Sequence, residues 1–147
     1  MPEGEKDDKP FIQECASFFL HRIVPAVGIL SYGSFAVHVC NPNLVMRLLS
    51  SQSSQNLITC LNYNSHLGFA ICLYYRPHIK RVPSSVQRVL FPAFASVTFN
   101  FSSILIWLMT RDLVKEDWQK GALAIGSAGI MLLTGLCYLN FLDSLVT

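Results

Sequence analysis

Residues 76–88, Arg-Pro-His-Ile-Lys-Arg-Val-Pro-Ser-Ser-Val-Gln-Arg, carry four basic side chains, Arg76, Lys80, Arg81 and Arg88, and no acid. Long apolar stretches flank this segment on both sides. Short Lys/Arg-rich loops between membrane spans stay on the cytoplasmic side or its topological equivalent. The four basic residues therefore serve as the topology-determining cluster, and they stand where anionic lipid headgroups would meet them.

The composition agrees with that reading. Of 147 residues, 52% are hydrophobic and only 14% charged, too apolar for an ordinary soluble domain. The formal charge is only +2, and Lys and Arg lie almost wholly outside the apolar runs, so no nucleic-acid-binding face is expected. Glu3, Glu5, Asp7, Asp8 and Glu14 crowd the first twenty residues. That acidic start argues against a cleaved secretory signal and is unlike an Arg-rich, acid-poor transit peptide.

Working outward from the basic turn, the spacing predicts an all-α membrane protein with four transmembrane helices in an up-down bundle with short loops. The spans are read at 23–40, 56–75, 89–109 and 121–139, each long enough to cross a bilayer. Residues 1–10 read as a disordered polar N-terminus, and 11–147 as a single domain. The stretch 11–20 has two readings, an interfacial helix or an early start of the first span. Pro25 falls in a first turn, where its missing N–H costs little, and Asn41-Pro42-Asn43 ends that span. Residues 41–55 and 110–120 read as the outer loops. Spans of 18 to 21 residues suit a thin internal membrane, with the endoplasmic reticulum favoured over other organelles.

Four spans put both chain ends on the side of the basic turn. Lys6, Lys9 and Arg22 join the four basic residues there, against Arg47, Arg111, Lys115 and Lys120 on the other side, which favours cytoplasmic termini.

The second span is the most polar. Helical rise puts Asn62 and His66 roughly 9 and 15 Å below the outer surface, and Asn100 of the third span roughly 14 Å below it. Asn62, Asn64, His66 and Asn100 thus form a candidate polar midplane layer, expected to face the bundle with His66 and Asn100 paired. It is read either as interhelical bonding or as a small polar site. In the fourth span, Ala122, Gly126, Gly129 and Gly135 belong to a run of small residues that lets another helix approach closely.

Catalytic chemistry finds no footing. None of the nine acids falls within an expected span, and no zinc-protease, nucleophile-elbow or Cys-x-x-Cys motif occurs. The four histidines lie at different depths, so haem is not expected; no metal or other cofactor is expected either. Cys40 and Cys60 both fall near the outer face and would be able to form a disulfide if that side is oxidising; buried, reduced thiols are the expected state. The expected function is that of an accessory, assembly or scaffold subunit acting through helix–helix association. Its partners are membrane lipids and either another membrane protein or further copies of itself. The alternative is an oligomeric channel or carrier subunit that uses the polar layer.

Overall fold

The computed structural model describes residues 8–48 and 51–146, and those residues are helical or in short turns, with no strand among them. The expected disorder of residues 1–7 lies outside the described residues; Asp8–Pro10 are already helical. Helix α1 (Asp8–Phe18) passes through a π-helical turn (Phe19–Ile23) into α2 (Val24–Cys40). A short α3 (Pro42–Leu48) precedes α4 (Ser51–Tyr74), and the basic segment contains α5 (Pro77–Lys80). Helix α6 (Ser85–Thr110), a 3-10 turn (Arg111–Leu113) and α7 (Asp117–Ser144) complete the chain.

Among the described residues, three stretches are long and apolar enough to cross a membrane: Gln13–Cys40, Ser85–Leu113 and Asp117–Ser144. Helix α4 has the length, at 24 residues, but its Ser, Gln and Asn content keeps it from the same standard. The first stretch starts ahead of residue 23, so 13–20 run into it as one continuous helix. Pro25 therefore sits inside a continuous helix. It has no N–H for the carbonyl of His21, and its ring crowds that carbonyl. The turn before it widens accordingly, with the Val24 N–H reaching back five residues to the Phe19 carbonyl.

Other boundaries also move outward. Most of 41–55 is helical, in α3 and the start of α4, so it is not an open loop. Helix α6 begins at Ser85 because the Ser84 hydroxyl accepts from the Gln87 N–H, four residues ahead of the expected start. Helices of 26 and 28 residues replace spans of about twenty, so span length no longer points to a thin membrane.

Helix α2 runs through the middle, packed against α4, α6 and α7. Gly28 of α2 and Gly68 of α4 meet backbone to backbone: a Cβ on Gly28 would lie 2.7 Å from Gly68 Cα, and one on Gly68 2.6 Å from Gly28 Cα. Away from the basic end, Tyr32, Phe35, Ala36 and Cys40 of α2 close on Trp107 of α6 and on Ala124 and Ala128 of α7. Tyr32 stacks on Phe99 at 5.4 Å and tilts against Trp107 at 5.0 Å. The two alanines let α7 approach these rings.

Candidate functional site

Polar side chains gather inside the bundle where apolar ones would be expected in a soluble fold. Helix α6 buries Ser96, Asn100, Ser103 and Trp107, one stripe at helical spacing, while it exposes Phe91, Phe94, Phe101 and Leu105 on the opposite side. The buried hydroxyls and amide are bonded in sequence. Ser65 of α4 donates a short hydrogen bond to Asn100 Oδ1, and Asn100 Nδ2 donates to the Ser96 carbonyl at 2.9 Å. Ser96 Oγ donates across to the His66 carbonyl at 2.7 Å. Tyr32 donates to Ser103 Oγ at 2.7 Å, and Ser103 Oγ donates to the Phe99 carbonyl at 2.8 Å. These bonds join α2, α4 and α6 into one seam halfway along α6.

Between the seam and the basic end lies a cavity of about 150 Å³. Gly28, Gly68, Phe69, Phe99, Leu132 and Leu136 are among the residues of its wall, with Ser65 and Asn100 at its head. No carboxylate or imidazole lines it. A dry apolar void of that size holds a ligand no larger than about a benzene ring.

The candidate midplane residues part company. Asn100 is buried in the seam, but its partner is Ser65 and not His66. His66 contributes only its carbonyl; its ring stands 6.1 Å from that of Phe101, on the outer side of the α4–α6 contact. Asn62 lines the same outer groove, and Asn64 is exposed. Neither Asn62 nor His66 has a side-chain hydrogen-bond partner among the described residues. Helical rise had matched the depths; which way each side chain turns around the helix decides the pairing, and rise carries no such information.

The small residues of α7 divide as well. Ala124 and Ala128 are buried, and a Cβ on Gly135 would rest 3.5 Å from the Phe99 ring. Gly126 and Gly129 have open space where a Cβ would stand, and Ala122 is exposed. The close backbone approach falls instead at Gly28 and Gly68, which nothing in the sequence reading had singled out. A matching depth on adjacent helices was the available signal.

At the basic end, Arg76 donates to Asp143 at 3.0 Å and to Asn140 at 2.9 Å, and His78 Nδ1 lies 2.6 Å from Asp143. The basic segment is thereby pinned to the last turn of α7. The three apolar helical stretches run past the expected spans and so take in Glu14, Asp112, Asp117 and Asp143 at their ends. Arg88 Nε donates to the Val82 carbonyl at 2.6 Å, while Lys80 and Arg81 are exposed. Lys80 also sits 5.8 Å from the centre of the Tyr75 ring. Cys40 is buried, Cys60 is exposed, and both are free thiols.

Comparison with protein-family models, with curated proteins and with solved structures returns no match to this chain.

Proposed function

We propose that the protein is a membrane bundle of four spans, α4 included, and that it acts as an accessory, assembly or scaffold subunit through helix–helix association. The observation that carries this reading is the outer face of α4. The exposed sides of α2, α6 and α7 are rich in Phe, Leu, Ile and Val, as a lipid-facing surface requires. Helix α4 instead exposes Gln55, Asn56, Thr59, Tyr63 and Asn64 interleaved with Leu57, Cys60 and Leu67. Because Ser65 bonds Asn100 near the middle of the Ser85–Leu113 stretch, Asn64 to Asn56 occupy the half of the bundle away from the basic end, within about 13 Å of its centre. Amide and hydroxyl groups are costly against hydrocarbon at that depth, so the face calls for a protein cover. The Lys/Arg bias supports cytoplasmic termini.

Purification in mild detergent followed by native mass measurement tests the reading. Association in a fixed stoichiometry is expected; a monomer without partner at every detergent concentration overturns it. The same face favours a second reading, an oligomeric channel or carrier subunit, because copies arranged around an axis would turn these polar side chains toward a lumen. Ion flux through liposomes holding the purified chain separates the two.

A further inference from the structure

We infer that the cavity among α2, α4, α6 and α7 is a binding site for a lipid acyl chain, whose last carbons enter it sideways from the bilayer between Ile29 and Leu136. The inference rests on the reading of the bundle as a membrane protein. Ile29 of α2 and Leu136 of α7 are the exposed residues of the cavity's lining, at 49% and 39%; the others are buried or half-buried. Both stand on a rim. Ile29 lies between the buried Gly28 and the exposed Leu30. At about 100° per residue, Leu136 falls between Leu132, which lines the cavity, and Leu133, which is exposed. The cavity therefore opens through the α2–α7 crevice onto the aliphatic outer surface, and not toward either charged end.

The depth of the mouth identifies what meets it. Ser65 bonds Asn100 near the middle of the Ser85–Leu113 stretch, and Gly68, against which Gly28 packs, is about 5 Å along α4 from Ser65. Ile29 follows Gly28, so the mouth lies near the centre of a hydrocarbon core about 30 Å thick, where acyl chains end. The lining asks for nothing polar. Ser65 donates to Asn100, Asn100 to the Ser96 carbonyl and Tyr32 to Ser103. The buried polar atoms without a partner among the described residues, on His38, Asn62, His66 and Trp107, belong to residues outside the lining. An empty void forfeits the dispersion contacts of its wall, and at this depth hydrocarbon stands at the mouth to restore them. A cavity of about 150 Å³ that would take benzene takes about six carbons of a chain.

Photolabelling of the purified chain in phosphatidylcholine liposomes tests the site, with a diazirine placed on the last carbons of one acyl chain and adducts located by peptide mass spectrometry. Adducts are expected on Tyr32 and Leu139, which line the cavity and are buried in the bundle, as well as on the lipid-facing Phe101 and Ile130. A lipid with the diazirine beside its ester is expected to give at least about fivefold fewer adducts inside, because that end stands about 15 Å from the bilayer centre. Leu136→Trp closes the mouth from an exposed position, and Leu132→Phe fills the void; each is expected to cut the inner adducts about fivefold or more and to leave those on Phe101 and Ile130 unchanged. Inner adducts that persist in both variants, or that come equally from the two lipids, overturn the entry of a chain end between α2 and α7. Adducts on Phe101 and Ile130 with none inside overturn the acyl chain as occupant, in favour of a smaller lipid-soluble molecule where denaturing the purified chain releases one, and leave the membrane reading standing. Adducts at neither place overturn both.

Discussion

Gly28 and Gly68 carry the contact between α2 and α4, and their demands are strict: each would place a Cβ against the other's Cα at a distance side-chain carbons do not adopt. Gly68→Ala must push two backbones apart, which costs on the order of 1–3 kcal/mol. Gly126→Ala meets open space and is expected to stay within about 0.5 kcal/mol of the parent. Thermal unfolding in detergent measures both, and equal losses would show that the crossing is not where the helices are closest. The polar seam gives a second test. Ser65→Ala and Asn100→Leu share one hydrogen bond, so the double variant is expected to cost less than the sum by about 0.5 kcal/mol or more. His66→Leu and Asn100→Leu share none and are expected to be nearly additive. A double-mutant cycle with the opposite pattern would restore the pairing that depth alone had suggested. At this scale the sequence revealed which residues were too polar for lipid, because that is a property of the residue. Their partners depend on azimuth and on how two helices cross, which no single segment records.

Among the elements, the three apolar helices were the legible ones, since a long run without charge has few other readings. Their ends were not. Helix α6 gains a turn from its Ser84 cap, and the π-helical turn before Pro25 lets α1 and α2 run on as one. Both depend on local hydrogen bonding that hydropathy does not register. The short α5 was hidden inside a segment read only for its charge. Its attachment to α7 through Arg76, His78 and Asp143 sets how firmly the basic segment is held. Removing the shared acceptor with Asp143→Ala leaves the Arg76 guanidinium and both the backbone and the ring nitrogen of His78 without it, a loss of about 1–2 kcal/mol in local stability. Trypsin reads this directly at the exposed Lys80 and Arg81: cleavage in detergent is expected to quicken roughly five- to thirtyfold. An unchanged rate would mean that the packed Ile79 alone holds the segment.

Among the described residues after Glu14, formal charge is confined to two ends. Arg22, Arg76, Lys80, Arg81, Arg88 and Asp143 lie at one, and Arg47, Arg111, Asp112, Lys115, Glu116, Asp117 and Lys120 at the other, where Arg47 reaches Asp117 at 3.5 Å. The helices between them alternate in direction: Ser65 and His66 of α4 bond Asn100 and Ser96 of α6 in reversed order, and Gly28 meets Gly68 with the chains opposed. That alternation places α4 level with the apolar helices, so its polarity does not free it from the membrane if they cross one. An even number of crossings returns the chain to the side it started from. Reporter tags at residues 1 and 147 are therefore expected on the same side, both protected in sealed vesicles that enclose the cytoplasmic face, in line with the seven-to-four Lys/Arg bias. A cysteine placed at Lys80 should share that protection, and one at Lys115 should react with an impermeant reagent added outside. Tags on opposite sides would mean that α4 does not cross. Its bonds to α6 would then have to hold it against the bundle at the membrane surface, and the depth argument for its polar face would fall with it.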